Sequence, residues 1–441
     1  MRVVVIGGGL AGLFTASELL LAGVDDVLVL EESTVPGGVA RTIRRGGYSL
    51  EPAVGTMLLP HPHLSSLLAR IGTDIVPTEP AAAIRYVYTR GRLIALPVSP
   101  KALLAPLVSL PAKLRAAAEP LVRTSAQSGD ESLDAFLRRR LGNGLGGMLA
   151  WLAASGVFAG DPKHLSARAA FPTLAALEDD TGSIVRGGLR RFRNRSPGAT
   201  RPTSHVPVDG MTGLADTLGG ELGERFRGGF AVASVHRDES GWLVEGPETI
   251  RAAHVVVASR PRAAAALIGG GLGEVLERAV SAPAVVVGLG GPTDRVPLPP
   301  GFGVLTGPDA GMASLGVLFE SSYAPGRAPE GHALLKVIAG GARRPELVDW
   351  DDARIIERIG GEVALILGTD IDPSFVEIVR HRPGIPQYEI GHGAWLAEID
   401  RLLGERPGLH LTGWGYRGVG VGHLAADAVA TTHRIVHGQK P

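Results

Sequence analysis

At 441 residues the chain is too long for one simple core and reads as two or three domains. Apolar residues make up 45%, charged residues 20%, and the formal net charge is zero, which leaves no basic footprint for nucleic acid and no acidic tail. Cysteine is absent, which excludes disulfides and thiolate metal sites, and no apolar run reaches the eighteen or so residues of a membrane span. The 62 glycines are about twice the usual share but are spread along the chain, with no internal repeat. Met1 runs almost directly into a β-branched stretch, so no signal peptide is expected.

Val3 to Ile6 suits a buried parallel strand. It breaks into Gly7, Gly8 and Gly9, with Gly12 three residues later; Leu10 to Leu21 reads as a helix and Val27 to Leu30 as a second strand. This is a G-x-G-x-x-G fingerprint in its required strand–helix–strand setting. Gly7, Gly9, Leu10, Ala11 and Gly12 should cradle a pyrophosphate at the helix N-terminus. Glu31, 19 positions beyond Gly12 and followed by Glu32, stands where ribose hydroxyls need an acceptor. A plain βαβ turn is the bland reading, and the full setting argues against it.

Next come Gly37–Gly38, Arg41–Thr42, Tyr48 and Glu51. A second glycine pair with a nearby Arg and Thr suits more phosphate and ribityl contacts than NAD needs, which favours FAD. The segment resembles the GG-x-x-x-T and glutamate stretch of the FAD-dependent amine oxidase, phytoene desaturase and protoporphyrinogen oxidase superfamily. That resemblance extends cofactor contact to Gly37, Gly38, Arg41, Thr42, Gly55, Thr56 and Met57.

Residues 84 to 96 read as a hairpin around Gly91, and Pro100 to about Arg195 as helical. Within the latter, Ala102 to Val122 is apolar on one side and broken by prolines: a core-facing helix pair, or a face for a membrane surface. Trp151 to Gly188 resembles the protoporphyrinogen and coproporphyrinogen oxidases through Gly156, Val157, Phe158, Ala159, Gly160, Asp161, Leu165, Ser166, Ala170, Phe171 and Pro172. By spacing alone that run is only a helix, a turn and a helix.

Val206 to Leu222 reads as a loop and helix, Ala231–Val235 with Trp242–Glu245 as a hairpin, and HVVVAS as a strand before another helix. The superfamily places an adenine contact at the position of Val232. Phe302 to Gly341 alternates as strands with one wet face do. It resembles the same oxidases in LGVLFESS, in PGRAPEGH and in its closing glycine pair, as do Pro386, Gln387, Tyr388, Gly391 and His392 in a PQY-x-x-GH turn. The C-terminal strand, turn and helix match a flavin motif through Gly413, Gly415, Gly418, Val419, Gly420 and Val421, with Trp414 inside it.

The resemblance covers nearly the whole chain in family order. It implies an α/β fold of the p-hydroxybenzoate hydroxylase/amine oxidase kind, a Rossmann-like FAD-binding domain with an inserted β-rich substrate domain and a helical domain. The expected bounds are 1–75, 200–280 and 385–441 for FAD, 76–99 and 281–384 for substrate, and 100–199 for the helical part. It implies FAD-dependent oxidation of protoporphyrinogen IX or coproporphyrinogen III in haem synthesis, with dioxygen as acceptor and hydrogen peroxide as product. No protein residue is expected to be catalytic, because the flavin carries the chemistry. A tetrapyrrole, dioxygen, a partner enzyme of the haem pathway and peripheral contact with the inner face of a membrane follow as partners; a cytoplasmic location is expected, and oligomeric state is unreadable. The rivals are a paralogue oxidising an amine or polyene, and a non-catalytic FAD-stabilised porphyrin-binding protein.

Two departures stand out. Glu51 is followed by Pro52, Ala53, Val54 and Gly55, so the substrate arginine of the plant and animal enzymes is missing; Gly422 and His423 replace a proline after GVGV. The replacement carboxylate anchor is expected at His61, His63 or an arginine of the helical insertion, with Arg168, Arg186 and Lys336 as candidates. Arginine outnumbers lysine 39 to 5, so bidentate carboxylate binding is chemically available. His61 and His63 have metal-ligand spacing but no third ligand nearby, so no metal is expected.

Overall fold

The computed structural model describes residues 1–97, 105–123, 129–194 and 200–438. A five-stranded parallel sheet runs Phe226–Gly228, Val27–Glu31, Val3–Ile6, His254–Val257, Leu409–Leu411. All four residues of Val3–Ile6 are buried, because both faces of the sheet are covered. Helices Leu10–Leu21, Gly210–Leu222 and Val421–His437 pack on one face. On the other lie helices Pro261–Ile268 and Gly270–Glu277 with the small sheet Ser234–Asp238, Gly241–Glu245, Ile250–Ala252. A strand buried on both faces has no polar residue to alternate with, hence VVVI. The loops after Ile6, Val257 and Leu411 therefore open at one edge, the carboxyl ends of the strands, where open α/β sheets bind ligands.

A seven-stranded sheet stands against this edge, in the order Phe375–Pro386, Ser281–Pro292, His332–Gly340, Ser314–Leu318, Gly303–Thr306, Ile84–Thr89, Arg92–Pro97. Helix Asp352–Leu367 covers one face with Ile355, Ile359, Val363 and Ile366. The expected wet face is absent from His332–Gly340, which is buried along both sides. The helix seals one side, and Tyr48 and Leu50 pack with Leu334 and Phe375 on the other.

Over 105–123 and 129–194 the chain is mainly helical, with helices Leu110–Ala117, Leu133–Leu141, Asn143–Ala153, Pro172–Thr181 and Ile184–Arg193. Residues 102–104 of the proline-broken stretch lie outside the described residues. Arg140 and Glu119, both fully buried, lock this part: Arg140 Nε donates to Glu119 Oε1 at 2.6 Å, and Glu119 accepts from the Ile184 N–H at 3.0 Å.

The oxidase-like blocks, opaque as spacing, meet in space. Phe158 packs on Tyr388 with ring centroids 5.5 Å apart, and Gln387 Nε2 donates to the Phe158 carbonyl at 2.7 Å. A Cβ at Gly341 would stand 2.2 Å from the Ala159 carbonyl, and one at Gly160 2.6 Å from Gln387 Oε1. Those glycines are docking points between the helical part and the seven-stranded sheet.

Two expected elements shift. Val206 and Pro207 end a strand, Thr203–Pro207, that pairs with Met57–Leu59 and Ile75–Pro77. The hairpin strand begins at Ser234; before it the Phe230 N–H donates to the Glu31 carbonyl of the parallel sheet, and the Ala233 N–H already donates to the Glu245 carbonyl of the hairpin partner. Among the described residues no helix is long and apolar enough to cross a membrane.

Candidate active site

Gly9 precedes helix Leu10–Leu21 and gives it no side-chain cap, so the first-turn N–H groups are left for a ligand. The glycines around it serve different ends. A Cβ on Gly12 would lie 1.9 Å from the Gly7 carbonyl, so helix and strand touch there through bare backbone. Gly7 adopts φ +108°, closed to most side chains. Gly9 has an ordinary φ of −72°, and a Cβ there would find no protein atom nearer than 4.0 Å. Neither backbone nor packing demands glycine at that position, and its bare Cα leaves room for a ligand to approach the helix end.

A cavity of about 400 Å³ opens from this turn across to the seven-stranded sheet. Gly7, Gly9, Leu10, Ala11, Glu31, Gly37, Gly38, Gly413, Trp414 and Val419 line it. Glu31 holds the turn, accepting from the Gly8 N–H at 2.6 Å and the Ser33 N–H at 2.9 Å. A carboxylate has about four lone-pair directions, so ribose hydroxyls can join these two donors.

Other expected cofactor residues stand outside the wall and support it. Arg41 donates to Ser33 Oγ at 2.6 Å; Thr42 donates through Oγ1 to Glu51 at 2.9 Å and through its N–H to Thr212 at 2.7 Å. Gly418 donates its N–H to the Tyr388 hydroxyl at 2.8 Å, and Gly420 to His423 Nδ1 at 3.2 Å, just before Val421 starts the last helix. Met57 is buried in the core beneath the helices, Val232 packs at the core's edge, and Glu32 is exposed.

Gly55 and Thr56 follow the loop that a buried charge cluster fixes. Arg327 Nη1 donates to Glu51 Oε1 at 2.6 Å, which also accepts from the Met211 N–H at 3.1 Å. Lys336 Nζ lies 2.6 Å from Glu320 Oε1 and donates to the Glu51 carbonyl at 2.9 Å. Tyr323 donates to the same Glu320 oxygen at 2.7 Å, and burial with that carboxylate raises its hydroxyl well above the ordinary value. A Cβ at Gly55 would stand 3.0 Å from Lys336 Nζ, so an arginine at 55 would press one cation onto another. Lys336 is 3% exposed and ion-paired beneath the cavity, not on its wall.

The other anchor candidates also stand away from the cavity. Arg168 is exposed and forms a two-pronged pair with Asp179 at 2.6 and 3.1 Å; Arg186 lies on an exposed face. His61 accepts the Leu64 N–H at Nδ1 at 3.4 Å and so caps helix Pro62–Ile71. Burial, then His63 and His423, hold its pKa below the ordinary value, so it gains charge only at lower pH than an isolated histidine. Among the described residues no group of three or more His, Asp or Glu could hold a metal ion.

Two residues passed over in the sequence stand on the wall instead: Arg260 and His381. Arg260 follows the strand His254–Val257 by three residues and precedes helix Pro261–Ile268. Its guanidinium reaches across to the Pro383 carbonyl on the seven-stranded sheet, and burial lowers its pKa. His381 Nε2 lies 3.1 Å from the Pro52 carbonyl. Burial, and more weakly Arg260, hold His381 below 6.5; the hydrogen bond to Pro52 opposes them. The ring is then neutral at pH 7, with Nε2–H donating to Pro52 and pinning the loop over the cavity. The sequence signal for Arg260 was its place at the carboxyl end of a parallel strand.

Residues 10–423 match the flavin containing amine oxidoreductase family. The chain belongs to that family. It is 31% identical to the chloroplastic protoporphyrinogen oxidase of Oryza sativa subsp. japonica, across 98% of this chain and 87% of the rice protein. It is 27% identical to the coproporphyrinogen III oxidase of Bacillus subtilis (strain 168), across 95% and 94%. Its fold is similar to that of a protein assigned as a protoporphyrinogen oxidase from Exiguobacterium sp. 255-15, with a TM-score of 0.83, 22% identity and 99% of both chains covered. Cyclohexylamine oxidase from Brevibacterium oxydans IH-35A shares the fold at a TM-score of 0.70, with 18% identity over 98% and 99%.

FAD is the cofactor of this flavoprotein family, and the cavity fits it. The bare Cα of Gly9 and the uncapped helix end suit a pyrophosphate. The Trp414 indole N–H is buried and without a partner among the described residues, on a residue that lines the cavity. A buried donor left unmade costs about 1–3 kcal/mol, so a ligand acceptor there would be stabilising.

Proposed function

We propose that this protein is a FAD-dependent porphyrinogen oxidase of haem synthesis, acting on protoporphyrinogen IX or coproporphyrinogen III. The observation that carries this reading is that relatives so named align over nearly the whole chain, including the helical part and the seven-stranded sheet. The bound flavin supplies a two-electron acceptor that dioxygen regenerates, so loss of six electrons and six protons from the macrocycle consumes three dioxygen and yields three hydrogen peroxide.

The chain's part is to bind and orient. Val286, Ile338 and Ile385 give the cavity an apolar wall that suits a macrocycle, and His381 holds Pro52 in place. Among the residues lining that side, Arg260 is the charged one, and a guanidinium there disfavours an ammonium substrate. That speaks against an amine-oxidising paralogue. We assign the FAD-binding domain to 1–75, 200–280 and 385–441, the substrate-binding domain to 76–99 and 281–384, and the helical domain to 100–199. The test is aerobic incubation of the purified yellow protein with each reduced porphyrinogen. Porphyrin fluorescence should rise well above autoxidation, with about one peroxide per dioxygen consumed. Turnover of amines or polyenes with none of porphyrinogens would reject the reading.

We further propose peripheral docking on the inner face of an anionic membrane through the helical part. Leu110, Leu114 and Leu121 are exposed there, and helix Ile184–Arg193 presents exposed Val185, Leu189 and Phe192 beside Arg186, Arg190, Arg191 and Arg193. Flotation with anionic vesicles checks it; full recovery in the unbound fraction rejects it.

A further inference from the structure

Arg260, Arg343 and Arg434 are sheltered arginines without an ion-paired carboxylate among the described residues, and of the three Arg260 is the one that lines the cavity. Arg139, Arg140 and Arg327 each face a carboxylate within hydrogen-bond reach. Arg260 has no carboxylate within 4.0 Å among the described residues. Its side chain makes a single hydrogen bond, to the Pro383 carbonyl, which uses one of the five N–H donors of a guanidinium. The remaining donors belong to a group that lines the cavity. Arg260 is half-buried, so its guanidinium keeps part of its hydration and leaves its spare donors open to an anion entering the cavity.

Its placement is fixed from both sides. The backbone leaves the carboxyl end of His254–Val257 and enters a helix at Pro261, against which Gly415 packs so closely that a Cβ there would lie 2.3 Å from the Pro261 ring. The side chain reaches from the nucleotide sheet to the Pro383 carbonyl on the seven-stranded sheet. His381, kept neutral beside it, spends its N–H on Pro52 and offers no competing charge.

We propose that Arg260 is the carboxylate anchor of the substrate, pairing with one propionate of the macrocycle and supplying the charge that residue 55 lacks. This rests on the porphyrinogen reading above. A charge-assisted, two-pronged pair of this kind is strong and geometrically selective. The site requires at least one free carboxylate on the ring and reads nothing of the other substituents.

The test measures binding to the FAD-loaded protein by fluorescence quenching, with coproporphyrin III and its uncharged tetramethyl ester as probes. In Arg260→Leu, affinity for the acid should fall roughly tenfold or more while that for the ester stays within about twofold, with flavin content unchanged. Arg260→Lys, which keeps the charge but loses the fork, should fall between wild type and Arg260→Leu, and it serves if the leucine variant does not fold. Equal weakening of acid and ester, or no weakening, overturns the anchor while leaving wild-type turnover of porphyrinogens intact. Loss of flavin with acid affinity unchanged after FAD is restored would assign Arg260 to the cofactor's phosphates and overturn it too. If neither probe binds wild type and no porphyrinogen is turned over, the functional reading itself fails, and the anchor with it.

Discussion

The two ends of the cavity are built by different means. At the cradle, Gly7, Gly9, Leu10 and Ala11 come from one turn between a strand and a helix, and Glu31 from the next strand. At the opposite wall, Pro52, Arg260, Val286, Ile338 and His381 come from five separate stretches. A cradle made of backbone depends on what its residues lack, a Cβ; a wall made of side chains depends on which strands meet. Substitutions at the cradle should therefore act through space and cofactor, and those at the wall through charge and registry.

The largest effect is expected where the two ends join. Arg327→Leu leaves Glu51 buried without its cation, and breaking a buried pair from one side costs about 3–5 kcal/mol. The melting temperature should drop sharply, and FAD should be lost with it because Thr42 and Met211 also bond Glu51. A variant as stable as wild type would show that the cluster does not couple cradle to wall.

Next, Gly12→Ala and Gly9→Ala should separate the two uses of glycine. A Cβ at 12 cannot fit 1.9 Å from a carbonyl, so Gly12→Ala should destabilise the protein at or beyond the usual overpacking cost of about 1–3 kcal/mol. Gly9→Ala should leave the melting temperature of the flavin-free protein nearly unchanged yet bind FAD poorly. Equal behaviour of the two would erase the distinction. Glu31→Ala removes the acceptor of two backbone N–H groups at the ribose end and should weaken FAD binding by about 1–3 kcal/mol, read by flavin retention through dilution and gel filtration.

These contrasts also explain what the sequence disclosed. Helix Leu10–Leu21 and the strand ending at Glu31 were legible because their determinants are contiguous: an apolar run, a glycine turn, an apolar helix. The wall was not. Lys336 meets the Glu51 carbonyl across 285 positions, and Arg260 meets Pro383 across 123. No local pattern reports such a meeting, so Lys336 looked free for substrate and Arg260 drew no notice. His61 was expected as a substrate anchor, but its ring nitrogen accepts the Leu64 N–H and caps helix Pro62–Ile71.

A smaller effect tests the parallel sheet itself. His410 on Leu409–Leu411 lies 3.1 Å from His254 through ring nitrogens, and burial lowers its pKa to about 3, below the 6.5 of an unfolded chain. As pH falls through 6.5 the unfolded state takes the proton first. The stability this neutral histidine retains above pH 6.5 should decline on the order of 1 kcal/mol per pH unit toward pH 3. His410→Gln should flatten that part of the profile in denaturant titrations. An unchanged slope would place the acid sensitivity elsewhere.

The most direct measurement mixes the FAD-loaded protein with coproporphyrinogen III or protoporphyrinogen IX under strict exclusion of oxygen. The yellow flavin colour should bleach within a single turnover, faster than the porphyrinogen oxidises alone, and admitting air should restore it as porphyrin fluorescence appears. A flavin that stays oxidised in the presence of both porphyrinogens would show that this protein does not oxidise porphyrinogens.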